Sequence, residues 1–232
     1  MENFINGFDP KHFFKILIIT IIITLIVIFI IVLFRLHNAV DYNFRKFPRD
    51  KIHKHLKTGD LIGISYPSLR GKLVKVFTGS SWAHVGMIIE MKGKGPCVLE
   101  MGRYSRCKRG VLIHPIEEWL EFNDEKLITW RPYHGSLAPS DRLKLEQFLE
   151  KHKHKREDMF IVSWLKSMVK MSYTPNKVKN EYYCSEFIAH LLQEIGIIRK
   201  DCDPSGYCPQ ELLSGNLPLL GQHRYEQPYL LV

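Results

Sequence analysis

Hydrophobic residues are concentrated most strongly near the start of the chain. Ile16 to Phe34 is a run of 19 residues without a charge, in which only Thr20 and Thr24 are polar. At about 1.5 Å rise per residue, a helix of this length crosses the hydrocarbon layer of a bilayer, which is roughly 30 Å thick. No small-residue cleavage site follows the run. The pattern predicts a retained membrane-spanning helix over 16–34, preceded by a short tail over 1–15.

After residue 57 the pattern changes, first to short apolar runs and then to helical spacing. Two of the runs, 84–90 and 97–101, are joined by a Gly/Pro turn and predict an antiparallel hairpin. Strands precede helices, which favours an α+β domain over alternating βαβ units. The predicted strands cover 58–66, 84–90, 97–101, 111–113, 127–130 and, as an edge strand, 225–232; the predicted helices cover 115–122, 141–153 with Ser140 as N-cap, 159–171, 184–195 and 208–215, and 70–78 is either helix or strand.

The charge distribution adds an orientation to the predicted span. Residues 35–57 carry seven basic and two acidic residues, a net charge of +5 out of a formal +9, whereas the charges of residues 1–15 cancel. By the positive-inside rule, this basic connector and the domain over 58–232 lie in the cytoplasm. A basic segment beside an anchor is expected to contact anionic membrane lipids. Nucleic-acid binding is not predicted, because no finger, RRM-type aromatic motif or basic heptad region accompanies the charge.

Cysteine and histidine spacing bears on redox state and on metal binding. The five cysteines (97, 107, 184, 202 and 208) are odd in number and irregularly spaced, which predicts reduced thiols rather than a disulfide framework. The pairs His53/His55, His152/His154 and Cys202/Cys208 match no zinc-site spacing. The chain also lacks a phosphate-binding glycine loop. We therefore predict no metal and no other cofactor.

One cysteine begins an amphipathic helix. From Cys184 onwards, apolar residues at 187, 188, 191, 192 and 195 share one helix face, and Gly196 is a helix stop signal. The unpaired backbone N–H groups of a helix's first turn favour a thiolate over a thiol. The residues leave two interpretations open: a nucleophile, or a small buried hydrophobic side chain, as most core cysteines are.

A nucleophilic cysteine needs a base, and the base needs a polar group that holds its tautomer. His84 begins one strand of the predicted hairpin, and Glu100 lies on the other. Cross-strand neighbours bring Cβ atoms within about 5 Å of each other, so the two side chains can form an orienting pair. Cys184 is then expected to approach from a helix packed on the same sheet. Taken singly, such a histidine or glutamate is more often structural or solvent-exposed.

Four short motifs follow one another along the chain: Thr58-Gly-Asp-Leu-Ile, Trp82-Ala-His-Val-Gly-Met-Ile, Val98-Leu-Glu-Met and Tyr182-Tyr-Cys-Ser-Glu-Phe-Ile. In this order they resemble the permuted papain-like branch of the NlpC/P60 superfamily. Within it the chain is most similar to the YiiX/YaeF-like amidase group, with poxviral and lecithin:retinol acyltransferase-like relatives more distant. The resemblance covers about residues 58–215 and includes Cys-Pro-Gln-Glu-Leu-Leu at 208–213.

The resemblance implies a circularly permuted papain-like fold, in which a small antiparallel sheet packs on helices and the histidine precedes the cysteine. By motif position Cys184 is the nucleophile, His84 is the base and Glu100 orients the base. The backbone N–H of Cys184, the Tyr183 side chain and Trp82 are candidates for the oxyanion site or the pocket wall. Unlike this chain, members of the group do not usually open with a membrane span.

Together these features predict a single-pass, membrane-anchored cysteine hydrolase or acyltransferase. Its substrate carries an amide, ester or thioester bond, and the anchor favours a lipid or lipid-linked acyl group over a free peptide. Two alternatives stay open. One is a catalytically inactive papain-like module that binds a lipid or protein partner at the membrane. The other is a peptide or peptidoglycan amidase.

Overall fold

The computed structural model describes residues 10–38, 44–65, 81–103, 109–157 and 181–232 of the 232-residue chain. The segment 70–78 and the helix predicted over 159–171 lie outside the described residues. The chain divides into two units, Met1–Asp41 and Tyr42–Val232.

The first unit contains one long helix, α1 (Pro10–Asn38), which extends the predicted span at both ends. Its segment Phe13–Ile31 has a mean hydropathy of 3.2 over 19 residues, and all of these side chains are exposed. The two polar side chains are satisfied within the helix, since Thr20 Oγ1 donates to the Ile16 carbonyl at 2.9 Å and Thr24 Oγ1 to the Thr20 carbonyl at 2.8 Å. By length and composition, α1 can cross a membrane.

The second unit contains short strands followed mainly by helices, as predicted for an α+β domain. Its strands are β1 (Arg45–Phe47), β2 (Leu61–Ser65), β3 (His84–Met91), β4 (Gly95–Arg103), β5 (Arg109–Pro115), β6 (Leu127–Arg131), β7 (Tyr133–His134), β8 (Arg156–Glu157), β9 (Glu181–Tyr182), β10 (Arg224–Tyr225) and β11 (Tyr229–Leu231). Its α-helices are α2 (Ile116–Phe122), α3 (Pro139–His152), α4 (Cys184–Glu194) and α5 (Pro209–Ser214), and 3-10 helices cover Arg49–Lys54 and Pro204–Gly206.

Seven strands form the central sheet, in the order β1-β11-β6-β2-β3-β4-β5. The pair β1–β11 is parallel, and the other neighbours are antiparallel. The predicted hairpin is present as β3 and β4. The remaining short strands pair as β7–β10 and β8–β9.

Two local predictions were wrong. The C-terminal strand is not an edge strand, because β11 lies between β6 and β1, and β1 comes from the basic connector. The helix predicted after Ser140 begins earlier, at Pro139, with Ala138 as its N-cap. Proline is well suited to the first helical position, where its missing N–H is not needed, and the Asp141 carboxylate accepts the Ala138 N–H at 3.2 Å.

The basic connector is built into the domain from residue 44 onwards, before the start predicted at Thr58. Ile52 on the 3-10 helix is fully buried, and the Phe47 ring packs edge-on against Trp130 at 5.1 Å between centroids. The Arg49 side chain donates to Asp124 Oδ1 at 2.8 Å. Three apolar residues among the charges, Phe47, Ile52 and Leu56, account for this packing.

Helices cover both faces of the sheet, and side-chain alternation along β3 separates the two faces. Val85 and Met87 join the cluster that contains Phe187 and Ile188 of α4. Ile88 points to the opposite face, into the cluster formed with α2 and the connector. The sheet is therefore buried on both sides, with α3, α4 and α5 on one face and α2 on the other.

Candidate active site

The structure brings His84 and Glu100 together on neighbouring strands. His84 is the first residue of β3, and its Nε2 lies 2.8 Å from Glu100 Oε2 on β4. Both side chains are largely withdrawn from water, with exposed fractions of 11% and 12%. Gly102 lies beside them: a Cβ at Gly102 would be 3.6 Å from His84 Cε1. A side chain at position 102 would therefore contact the imidazole.

Two further side chains surround the Glu100 carboxylate. The indole N–H of Trp119, on α2, donates to the same Oε2 atom at 3.1 Å. The other oxygen, Oε1, lies 4.0 Å from Nε2 of His114, on β5. Each carboxylate oxygen therefore has an imidazole within electrostatic range.

These neighbours set the charge state of Glu100. Burial by itself would raise the pKa of the carboxyl, but the adjacent His84 and the hydrogen bonds from His84 and Trp119 outweigh burial. The result is a Glu100 pKa below its ordinary value, so the group is a carboxylate near neutral pH. A carboxylate can only accept hydrogen bonds, so neutral His84 carries its proton on Nε2 and leaves Nδ1 as the basic nitrogen.

Cys184 is the first residue of α4, as the apolar spacing predicted. Its side chain is half-buried against the cluster on the α4 face of the sheet. His84 pairs with Ile64 and points with it to the α2 face. The hydrogen bond between His84 and Glu100 therefore lies on the face opposite the cluster that Cys184 contacts.

The N-terminus of α4 nevertheless lies toward the end of the sheet where His84 stands. β3 begins at this end, and β4 and β5 meet there through the Arg103–Arg109 pair. A Cβ on Gly110, next to that pair, would lie 2.3 Å from the Lys155 carbonyl oxygen beside β8. β8 pairs with β9, and β9 leads directly into α4. Through the pairing of β8 with β9, the start of α4 is thus connected to the end of the sheet at which His84 stands.

The two other candidates occupy fixed positions near Cys184 and His84. Tyr183 is the N-cap residue of α4, and its hydroxyl donates to the Ser205 carbonyl. Burial, followed by the nearby acidic groups, raises the pKa of the Tyr183 hydroxyl. Trp82 is buried two residues before His84, and its indole N–H donates to Thr129 Oγ1 at 2.8 Å. Their assignment to an oxyanion site or pocket wall stays a prediction.

Sequence reasoning missed the contacts of Trp119 and His114. Trp119 reads as an ordinary core aromatic, since nothing in its local pattern indicates a hydrogen bond to a carboxylate. His114 is a polar residue at the end of an apolar strand, which is a weak signal. It becomes meaningful only with the register, which pairs Val98 with His114 and Glu100 with Leu112 on the same face.

Comparison with known proteins identifies the family. A family model described as the permuted papain-like amidase enzyme, YaeF/YiiX, C92 family, matches residues 55–203. The chain belongs to this family. The match confirms the resemblance drawn from the four motifs and with it the permuted papain-like α+β fold. It also shows that the protein is cysteine hydrolase-like, with an amidase or peptidase type of chemistry.

One similar solved structure is the metalloprotein YiiX from Escherichia coli O157:H7. It is 22% identical to this chain, covers 75% of this chain and 88% of its own, and superposes with a TM-score of 0.44. No curated protein matches the chain. Within the part of this chain that the structure describes, no group of three or more His, Cys, Asp and Glu side chains could hold a metal ion.

Proposed function

We propose that the protein is a membrane-anchored cysteine hydrolase with a Cys184–His84–Glu100 triad. The observation that carries the proposal is the buried His84–Glu100 pair, 2.8 Å between Nε2 and Oε2, at the sheet end reached by the N-terminus of α4. Family membership supplies the expectation that a cysteine in this helix is the nucleophile.

The proposed reaction is acyl transfer through a thioester. His84 Nδ1 takes the Cys184 thiol proton as the sulfur attacks the acyl carbonyl, and a C–S bond forms. The leaving amine, alcohol or thiol takes that proton as its bond to the acyl carbon breaks. Water then gives a proton to His84 and attacks the thioester, which releases the acid and restores the thiol. Glu100 stabilises the imidazolium in both steps without taking its proton. An acceptor other than water would make the same site an acyltransferase.

The substrate we favour is a lipid or lipid-linked acyl group at the cytoplasmic face of a membrane. The anchor α1 supports this choice, because it keeps the domain attached to a bilayer. The connector adds exposed basic side chains on the folded domain, among them Lys46, Lys51, Lys54 and Lys57, which anionic headgroups attract. Lipid partners thus belong to the proposal together with the acyl substrate.

Thiol labelling tests the triad. We would treat the detergent-solubilised full-length protein with iodoacetamide between pH 5 and 9 and map the modified cysteines by mass spectrometry. The expected result is selective alkylation of Cys184 below pH 8, ahead of the other four cysteines, and its loss in His84→Ala. Incubation with p-nitrophenyl esters of short and long fatty acids should then give an acyl adduct on Cys184, but none in Cys184→Ala.

A different labelling result would contradict the proposed triad. Slow alkylation of Cys184 with the pH dependence of an ordinary thiol, near 8.5, unchanged in His84→Ala, would overturn the triad. That result would favour the inactive binding module. Added glycine methyl ester separates hydrolase from transferase, because only a transferase passes the acyl group to this amine in preference to water.

A further inference from the structure

The three residues that lead into His84 are each tied to a different element. The Ser81 backbone N–H donates to Gln210 Oε1 at 2.9 Å, and the Trp82 indole N–H donates to Thr129 Oγ1 at 2.8 Å. The Ala83 N–H donates to the Ile64 carbonyl at 2.9 Å. Thr129 and Ile64 belong to the sheet itself. Gln210 belongs to α5, so the first of these anchors depends on where α5 sits.

α5 is fixed at its first turn by a capping interaction and nearer its end by a notch in the sheet. The Glu211 carboxylate accepts the Cys208 N–H at 2.8 Å, which closes the first turn. Leu213 fills the space above Gly63 on β2: a Cβ at Gly63 would lie 2.2 Å from Leu213 Cδ1. A side chain at position 63 would therefore require Leu213 to shift.

The C-terminal end of α5 is held by a buried guanidinium. Arg131, on β6, donates to the Leu212 carbonyl at 2.6 Å and to the Gly215 carbonyl at 3.0 Å. These are carbonyls that a helix end leaves without intrahelical partners, and a cation there is favourable. The same side chain donates to the Glu226 carbonyl at 3.1 Å. Both ends of α5 are therefore anchored to the sheet or to its own cap.

The Gln210 amide has one orientation in this setting. Its Nε2 donates to Ser214 Oγ at 2.6 Å, one turn further along α5, and this bond turns Oε1 toward Ser81. The amide thus transmits the position of α5 to the backbone three residues before the imidazole.

We propose that Gln210 is a positioning residue for His84 and acts through Ser81. This inference rests on the proposed function, since it assigns Gln210 to the machinery that sets the direction of the base. Loss of the Oε1 acceptor leaves the Ser81 N–H without its partner and releases the segment 81–83 at one of its three anchors. The imidazole then spends less time in the orientation that accepts the Cys184 proton.

A matched pair of variants tests the role. Gln210→Met keeps the length of the side chain and removes the acceptor, whereas Gln210→Glu keeps an oxygen acceptor in the same place. In the iodoacetamide assay on the full-length protein, we expect Gln210→Met to slow Cys184 alkylation at pH 6 on the order of tenfold, the value of one hydrogen bond. At pH 9, where the thiolate forms without the imidazole, the rates should converge. The exposed-site control Gln222→Met should stay within about twofold of wild type. Gln210→Glu, which keeps the acceptor but loses the donor to Ser214, should slow alkylation less than Gln210→Met.

Three results distinguish the possible failures. If wild type and His84→Ala label identically, the proposed function fails. If His84→Ala removes the low-pH labelling but Gln210→Met retains it, the triad stands and the role of Gln210 is overturned. If Gln210→Met slows alkylation equally at every pH and lowers the thermal midpoint, the contact is merely structural, and the inference is again overturned.

Discussion

Glu100 is the residue whose surroundings most closely define the candidate site. Its carboxylate can hold His84 in only one tautomer, because an ionised oxygen cannot donate. We predict that Glu100→Gln lowers kcat/KM for ester hydrolysis on the order of 10²–10⁴-fold, since an amide that presents its NH₂ group selects the wrong tautomer. Steady-state kinetics measures the loss, and the thermal midpoint reports whether the fold is retained. Wild-type kinetics in Glu100→Gln would remove the residue from the mechanism.

The role of Trp119 in orienting Glu100 can also be tested by substitution, with Trp130 as the control. Its indole donates to Glu100, and the indole of Trp130 donates in the same way to Asp60 Oδ2 at 2.9 Å, away from the pair. Trp119→Phe and Trp130→Phe should each cost about 1–3 kcal/mol of unfolding free energy, because a buried carboxylate loses a donor. Only Trp119→Phe should change the pH profile of Cys184 alkylation. Equal profiles in the two variants would contradict an orienting role for Trp119.

Among the elements, the helix that carries Cys184 packs against the buried His152 and itself carries the half-buried His190. The Tyr182 hydroxyl lies 3.3 Å from both His152 Nε2 and His190 Nδ1, and Phe148 stacks on His152 with 4.0 Å between centroids. Burial, helped by the charge of His152, lowers the pKa of His190 to about 4. The Glu194 carboxylate, 3.9 Å from His190 Nε2, opposes this shift but does not cancel it.

This pKa predicts acid sensitivity with a definite sign. As pH falls from about 6.5 to about 4, an unfolded chain binds a proton at residue 190 before the folded domain does, so stability decreases through this window. A single histidine whose pKa is lowered this far accounts for a loss of about 3 kcal/mol of unfolding free energy across this window. Denaturant unfolding followed by tryptophan fluorescence measures the unfolding free energy at each pH. His190→Asn should lose less of this free energy on acidification than wild type, whereas the exposed-site control His154→Asn should follow wild type. If His190→Asn has the same pH dependence of unfolding free energy as wild type, His190 is not the source of the acid sensitivity.

The connector is the other element whose role can be tested. Ile52 lies before residue 55, where the family match begins, yet its side chain is fully buried. Ile52→Ala should cost roughly 2–5 kcal/mol of unfolding free energy, as a core truncation does. The neighbouring exposed Lys51→Ala should stay within about 0.5 kcal/mol of wild type. If both variants unfold alike, the connector is not part of the core.

For the molecule as a whole, the distribution of charge predicts its orientation in the membrane. Basic residues follow α1 in far greater number than they precede it, which predicts that the second unit lies in the cytoplasm. In sealed microsomes, added protease should digest this unit without detergent. Replacement of the exposed Lys46, Lys51 and Lys54 by Gln should raise the protected fraction. Full protection of the wild-type protein until detergent is added would reverse the orientation and favour peptide or peptidoglycan substrates.

The features that could be predicted from the sequence are either local elements or the order of motifs along the chain. The uninterrupted apolar run, the hairpin of β3 and β4 and the helix that starts at Cys184 follow from periods of 3.6 and 2 residues, which neighbouring residues set. The family followed from the order of four short motifs, because the order of histidine and cysteine along the chain is independent of packing.

Contacts between residues far apart in the chain depend on tertiary packing and could not be predicted from local patterns. Pairing of β11 with β1 made the C-terminal strand internal, although its own sequence fits an edge strand equally well. The contacts of Trp119 and His114 with Glu100, and of Gln210 with Ser81, depend on strand register and on where α2 and α5 settle. A shift of one residue in the pairing of β4 with β5 would turn His114 to the face opposite Glu100, and local patterns do not fix register between segments far apart in the chain.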